Sequence, residues 1–351
     1  MFVLGLMLAC PATNAQAPDP GGNEAGLAMQ VTKTENDVKT SSALIRDAAL
    51  NSYVRGVACQ VMGSPCVLRV YILETPGENL IALPNGALVI WSGTLLRMEN
   101  EAQFAHLLGH EIAHYLHKDA VSQYERMQNT NSVVAVLGVA ATTIGMGFMG
   151  TPASMAALSA RYAHSASEEE DADRTGMQLA SAAGYDPQAV QVVWRNADAD
   201  FLRLHPGHDA GSVVPQDVTA TVQPSWKSGA DSYRAAVAGY MSRWVDDELR
   251  NSADGVALFA RLAPSGRGLF RYGLGEAYRK RAQPGDAVLA RQAFRAALAA
   301  PDSEPQAWRG LGLLAMQEGD KAAARIAFAQ YRSALPFADD RAMIDYYLAQ
   351  P

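Results

Sequence analysis

The sequence lacks any basic block and carries little charge overall. Of its 351 residues 19% are charged, the net charge is -7, and no Lys or Arg precedes Lys33. Nucleic-acid-binding proteins usually present clustered positive charge, so we expect no nucleic acid among the partners. The apolar content of 49% is that of an ordinary globular protein, and the length allows two domains.

Charge is also missing from the N-terminus, where an apolar run is followed by small residues. Residues 1–17 (MFVLGLMLACPATNAQA) therefore predict a secretory signal peptide, although the usual basic start is absent. Lipidation of Cys10 is the alternative, but Met7-Leu8-Ala9 is a poor lipobox. We expect an exported protein without a lipid anchor.

Cysteine is scarce, with three in the whole chain. Cys59 and Cys66 remain after removal of a signal peptide, and Gly63 and Pro65 can turn the chain between them. In an oxidising compartment a disulfide is the natural interpretation. Two buried thiols are the alternative.

Residues 131–160 carry no charge at all. The most apolar part, 133–150, is barely long enough to span a bilayer, is rich in Gly, Ala and Thr, and lacks aromatic or basic flanks. We interpret 131–160 as a helical hairpin that is buried or covers a site. Contact with lipid is the alternative, and a multi-span protein is not expected.

The remaining pattern predicts a mostly helical α+β protein. The composition of 18–40 indicates a flexible segment, and a domain of helices with a small sheet follows at 41–205. Within it we predict helices and strands from apolar spacing and turn residues: helices at 41–58, from Asn100, and at 165–183, and strands at 67–73 and 87–91.

The pattern of the C-terminal third predicts short amphipathic helices. Residues 206–228 are rich in Gly, Pro, Ser and Thr and predict a linker or an active-site loop. In 229–351, Phe259, Phe294 and Phe328 recur at spacings of 35 and 34, close to the period of tetratricopeptide repeats. An unrelated helical bundle is the alternative. Other residues at that repeat's packing positions are Leu274, Gly275, Tyr278, Ala290, Trp308, Leu311, Gly312, Ala324 and Pro336.

The segment LLGHEIAHYLHKD carries the clearest chemistry. On a helix, His110 and His114 lie on one face and can offer two imidazoles to one tetrahedral Zn²⁺. Glu111 lies about 100° round the helix, where it can act as the base toward a water molecule. Asn100 and Gln103 resemble a capping box at the start of this helix. His106 with His110, or His114 with His117, are rival pairs, but neither has a glutamate directly after its first histidine.

A hydrolytic zinc site needs a third protein ligand from another element. The acidic cluster Ser167 to Arg174 opens a later helix and offers Glu168, Glu169 and Glu170, among which spacing does not choose. Asp173 lies four residues after Glu169 and could support a ligand. Acids also favour a helix N-terminus for electrostatic reasons alone.

In order, NLIALPNGALVIWSGTLL, NEAQFAHLLGHEIAHYLHKD and SEEEDADRTG resemble metallopeptidase family 48, which includes the CAAX prenyl protease, HtpX-type peptidases and periplasmic peptidases with tetratricopeptide tails. The resemblance covers about 45–206. It implies a zincin-like domain, with Glu169 as third ligand and Asp173 as its supporting acid. Two positions depart from the family pattern, at Ala166 and Asp171.

The segment Phe201 to Pro206 resembles the same family's F-L-x-x-H-P pattern. This resemblance implies that His205 is either a switchable fourth zinc ligand or a transition-state hydrogen-bond donor; the alternative is a structural histidine before a turn. Tyr162 is a second candidate donor. The strand 87–91 could pair with an extended substrate or be an ordinary sheet strand.

The resemblance implies an exported, periplasmic zinc endopeptidase holding one Zn²⁺ per chain. Its expected substrates are misfolded or unassembled envelope proteins, with further envelope partners bound through the repeat domain. The alternative function is a zinc-containing chaperone or binding module with a gated or silent site. A membrane-embedded prenyl-protein peptidase is disfavoured, because several long apolar spans are lacking.

Overall fold

A computed structural model describes residues 23–129, 164–208, 225–251 and 254–349. The predicted signal peptide, Cys10, Tyr162, the hairpin at 131–160 and most of the 206–228 segment lie outside these ranges. Within them, no helix is both long and apolar enough to cross a bilayer.

The first half of the chain surrounds a small sheet. Its elements run α1 (Asn23–Thr40), α2 (Ala48–Met62), β1 (Arg69–Leu73), β2 (Leu80–Ala82), β3 (Ala87–Trp91), α3 (Ser92–Arg97), α4 (Glu101–His117), α5 (Asp119–Asn129), α6 (Ala166–Ala182), α7 (Ala189–Asn196) and α8 (Ala199–Leu204). The strand order is β1-β3-β2, with β1 parallel and β2 antiparallel to β3.

Both faces of this sheet are covered. Alternate side chains of β3 point to opposite faces, so Leu88 and Ile90 join the core with α2 and α4, while Val89 and Trp91 pack with α1. Burial on both faces explains why β3 is apolar at every position.

The prediction that 18–40 is flexible is wrong for residues 23–40, which form α1. Leu27, Val31 and Val38 are buried against the sheet, and Glu35 accepts hydrogen bonds from Arg69 (2.8 Å) and Tyr71 (2.7 Å). Tertiary burial therefore stabilises a helix whose composition is that of a loose segment.

The disulfide between Cys59 and Cys66 is confirmed in the structure, with an S–S distance of 2.06 Å. It closes the turn between the end of α2 and the approach to β1.

Two glycines set the distance between α4 and α6. A Cβ atom on Gly176 would lie 2.5 Å from the backbone nitrogen of His110, and one on Gly109 would lie 2.5 Å from the carbonyl oxygen of Gly176. Both distances are far inside ordinary contact, so only glycine permits this crossing. It brings the helix of His110 and His114 against the helix of Glu169.

The described part of the second half is helical. Its elements are α9 (Ala230–Val237), α10 (Met241–Asn251), α11 (Gly255–Leu262), α12 (Gly268–Arg281), α13 (Asp286–Leu298), α14 (Gln306–Gln317), α15 (Lys321–Ala334) and α16 (Arg341–Ala349). Phe259, Phe294 and Phe328 are fully buried. Phe294 packs where a Cβ on Gly275 would come within 2.5 Å of its ring, and Phe328 does the same beside Gly312. The tetratricopeptide assignment and the domain boundaries stay predictions.

Candidate metal centre

The α4 helix presents the two histidines of the HExxH segment. Asn100 caps its start by accepting a hydrogen bond from the Gln103 backbone (2.9 Å), while the Gln103 side chain accepts from Glu99 rather than from Asn100. His110, Glu111 and His114 are each about 97% buried. The Nε2 atoms of His110 and His114 lie 3.1 Å apart.

The α6 helix adds Glu169 to the same point. Its Oε2 lies 3.3 Å from Nε2 of His110, and its Oε1 lies 3.7 Å from Nε2 of His114. Ser165 and Glu168 form a capping box at the start of α6, and Glu170 forms an ion pair with Arg174. Of the three candidate glutamates, the structure therefore brings Glu169 alone to the histidines.

His205, directly after α8, completes the cluster. Its Nδ1 lies 3.3 Å from Nε2 of His110 and 3.2 Å from Oε2 of Glu169. The ligand atoms of His110, His114, Glu169 and His205 all lie within 4.8 Å of one another.

Two carboxylates orient the imidazoles. His110 donates from Nδ1 to Asp173 (3.0 Å), and His114 donates from Nδ1 to Asp119 (2.7 Å). When the proton is on Nδ1 alone, as metal binding requires, both Nε2 lone pairs point at the same place. Asp173 therefore has the position expected of it, whereas the part played by Asp119 was not foreseen.

This donor set fits Zn²⁺. Atoms about 2.0–2.1 Å from a tetrahedral ion lie about 3.3–3.4 Å apart, close to most of the separations above. Oε1 of Glu169 is buried without a hydrogen-bond partner, which is costly unless a cation is nearby. Two lone pairs and a carboxylate converging in a buried space favour a cation with nitrogen and oxygen ligands.

The electrostatics agree with this interpretation. Burial by itself would lower the pKa of His110, but hydrogen bonds and charges from Asp173 and Glu169 outweigh it and raise that pKa to about 10. Burial would raise the pKa of Glu169, yet hydrogen bonds from His110 and His205 hold it below its usual value. Without a metal ion the positive charge at the cluster is a second proton on His110, and a bound cation would take the place of that proton at Nε2. Glu169 stays a negative carboxylate, so the cluster favours positive charge.

Glu111 lies beside the cluster. Burial raises its pKa to about 8, and its Oε2 accepts a hydrogen bond from the backbone N–H of Ala82 on β2 (3.0 Å). Its Oε1 lies 3.9 Å from Nε2 of His205. A carboxylate that is fixed in place and readily protonated suits a general base.

The rival histidine pairs are not formed. His106 is buried, but its Nε2 is hydrogen-bonded to the carbonyl oxygen of Asp186 (2.8 Å). His117 is exposed and contacts Thr175.

Two further histidines lie at the cluster and were missed from the sequence. The ring of His164 stacks on His114 with centroids 3.7 Å apart, and His208 contacts Asp173 (2.7 Å). In the sequence, His164 lies just before the acidic cluster and His208 lies three residues after His205. These positions are the features from which their place at the metal centre could have been predicted.

The space in front of Glu111 is almost filled. A cavity of about 10 Å³ is left there, which holds one water molecule at most. A peptide therefore cannot enter unless part of this wall moves. Its lining residues are Asn79, Ile81, Ala82, Glu111, His164, Leu204 and His205.

Comparison with known proteins agrees with this geometry. The model of peptidase family M48 matches residues 45–210. The beta-barrel assembly-enhancing protease of Yersinia pestis is 28% identical over 235 residues, which cover 60% of this chain and 47% of the relative.

Two other relatives match over shorter stretches. The mitochondrial metalloendopeptidase OMA1 of Arabidopsis thaliana is 27% identical over 45% of this chain and 31% of its own length. The beta-barrel assembly-enhancing protease of Escherichia coli K12 is 24% identical over 48% of this chain and 39% of its own length. The chain therefore spans less than half the length of these curated relatives. Residues 45–210 are a peptidase family M48 domain.

Proposed function

We propose that this chain is a zinc-dependent endopeptidase. The observation that carries the proposal is the convergence of His110, His114 and Glu169 on one buried point, with Glu111 beside it. A purely structural metal site has no need of a buried carboxylate next to its ligands. The family domain and the relatives named as proteases support the same conclusion.

Each residue has a defined role in this proposal. One Zn²⁺ held by His110, His114 and Glu169 would polarise the scissile carbonyl and make a water molecule more acidic. Glu111 takes the proton from the attacking water and passes it to the leaving amine. The Ala82 N–H keeps the Glu111 carboxylate in place meanwhile.

The proposed substrate strand binds at β2. The suggestion that β3 pairs with substrate is wrong, because β3 already lies between β1 and β2. In contrast, β2 is an edge strand of the described sheet. It lies next to Glu111, which accepts the hydrogen bond from the Ala82 N–H, so pairing with substrate would use the other outward backbone groups of β2. An extended polypeptide can add to such an edge through main-chain hydrogen bonds, which tolerates many sequences.

His205 closes the site in this proposal. Its Nδ1 meets the other ligand atoms, at the position that a hydrolytic zinc site keeps open for water or substrate. The cavity of about 10 Å³ supports a closed resting state. We therefore favour His205 as a switchable fourth ligand over a transition-state donor.

The proposed substrate class and cellular location come from the relatives and not from the site itself. The names of the beta-barrel assembly-enhancing proteases favour unassembled or misfolded envelope proteins as substrates, in an exported, periplasmic enzyme. The C-terminal helices would hold these substrates or envelope partners. A zinc-containing binding module is the second candidate, favoured by the contact of His205 with the cluster.

The test uses the full chain and its Glu111→Gln variant, which keeps the shape of the side chain. Zinc content is measured by mass spectrometry, and cleavage of unfolded casein by gel electrophoresis. We expect one zinc in each protein, and cleavage slower by roughly 10²–10⁴ in the variant. Zinc in both without cleavage by either leaves a closed peptidase or a binding module, and a zinc-loaded His205→Ala variant that also cleaves nothing would favour the binding module. Folded protein that takes up no zinc would refute the proposal.

A further inference from the structure

His205 lies on a short segment, residues 198–208, whose two ends are held differently. At the N-terminal end the Asp198 carboxylate contacts Arg97 (2.5 Å) and also Arg261 from α11. The Asp198 backbone N–H donates to Glu78 (2.9 Å). Three contacts, two of them to cations, fix this end of the segment.

His208 holds the other end. It donates from Nε2 to Oδ2 of Asp173 (2.7 Å), and its ring stacks on Trp194 with centroids 3.9 Å apart and an interplanar angle of 24°. Its side chain is only 4% exposed. A surface histidine in a loop would not need this burial, which indicates that the position of His208 is defined by these contacts.

Asp173 connects His208 to the metal centre. One carboxylate oxygen accepts from His110, and the other accepts from His208. The residue that orients a metal-binding imidazole therefore also fixes the segment that carries His205. Nδ1 of His208 lies 3.2 Å from the carbonyl oxygen of His205, so the two histidines are held as one turn.

We propose that His208 is a positioning residue that keeps His205 at the metal centre and the site closed. This inference rests on the proposed peptidase function and goes beyond it. The N-terminal end has several ionic contacts. Among the described residues, the contacts that join the C-terminal end to α6 and α7 are those of the His208 side chain, chiefly the hydrogen bond to Asp173 and the stack on Trp194. Loss of the His208 contacts therefore frees His205 while Asp198 keeps the segment attached.

The expected consequence is a gain of activity. If closure by His205 keeps most molecules incompetent, freeing it raises the competent fraction and the apparent kcat/KM by the same factor. We expect His208→Ala to cleave unfolded casein roughly 10–100-fold faster than the parent, the effect of losing a hydrogen bond to a carboxylate. A residue with a merely structural role would lose activity when removed.

The experiment measures initial cleavage rates of the zinc-loaded full chain and its variants at equal zinc content. His208→Phe keeps a ring for the Trp194 stack and removes the hydrogen bond, so it should also be faster. His208→Gln can still donate to Asp173 and should stay within about twofold of the parent. His117→Ala, an exposed histidine on the same metal-binding helix, is the matched control and should be unchanged.

A double variant tests whether His208 acts through His205. His205→Ala should be faster than the parent, and adding His208→Ala should change it little, because the two substitutions remove the same closure. Additive effects would overturn the positioning role.

Other outcomes also decide the question. Unchanged or slower cleavage by both His208→Ala and His208→Phe, with an active parent, would overturn the inference and leave the peptidase function standing. Loss of cleavage in His205→Ala would do the same, because His205 would then assist the reaction. Absence of cleavage by every zinc-loaded variant would refute the peptidase function, and the positioning role would fall with it.

Discussion

Gly176→Ala should weaken zinc binding, although Gly176 has no side chain that could hold a metal ion. The new Cβ would lie 2.5 Å from the backbone nitrogen of His110, whereas ordinary contacts begin at 3.4 Å. The α4 and α6 helices must therefore separate by about 0.9 Å at this crossing. Glu169 lies about two turns earlier on α6, so it moves away from His110 and His114.

The expected loss of zinc affinity depends on how much change in zinc–ligand distance the site can accept. Zinc–ligand distances hold within about 0.2 Å, several times less than the separation required. We expect zinc affinity to fall at least about 10-fold, and overpacking to lower the free energy of unfolding by about 1–3 kcal/mol. Chelator competition measures the first quantity and urea unfolding of the metal-free protein the second.

Gly56→Ala is the matched control. Gly56 lies within α2, and a Cβ there would meet nothing within 4 Å. Alanine should therefore raise the free energy of unfolding by about 0.5–1 kcal/mol through helix propensity, with zinc affinity unchanged. If Gly176→Ala binds zinc as tightly as the parent, the close helix crossing does not set the ligand distances and the reasoning is refuted.

Two further predictions concern buried charges. Glu35→Gln should lower the free energy of unfolding at pH 7 by about 1–3 kcal/mol. Hydrogen bonds from Arg69 and then Tyr71 hold the Glu35 pKa at about 2, so its contribution is present above pH 4.5 and lost as pH falls toward 2. Urea unfolding should show the parent and variant converging over that range, and a constant difference would contradict the pairing. Arg97→Ala should lower the free energy of unfolding by about 3–5 kcal/mol, because it leaves the buried carboxylates of Glu248 and Glu78 without their cation. Urea unfolding measures this difference, and a value within about 1 kcal/mol of the parent would contradict the role of Arg97.

Features encoded locally were predictable from the sequence. The β3 strand has the bounds expected from its apolar run, and α4 begins after Asn100 as its capping residues indicate. The positions of His110 and His114 relative to each other follow from helix geometry alone. The family resemblance added Glu169, which spacing did not separate from its neighbours.

Features that depend on tertiary contacts were not predictable. The α1 helix is stabilised by burial of Val31 and its neighbours against the sheet, which its polar composition conceals. The β2 strand has three residues, too few for a pattern. His208 reaches the metal centre only because α6 and the segment after α8 meet in space. Asp119 lies five residues after His114, and its contact depends on how the chain turns between α4 and α5.

X-ray absorption at the zinc edge of the full chain tests the central claim most directly. Glu169→Ala is compared with Glu170→Ala, whose native side chain is exposed and paired with Arg174. We predict one zinc per chain with nitrogen and oxygen ligands and no sulfur in the parent and in Glu170→Ala. Glu169→Ala should bind zinc at least about 10–100-fold more weakly. Equal zinc binding by both variants, or sulfur among the ligands, would contradict the account.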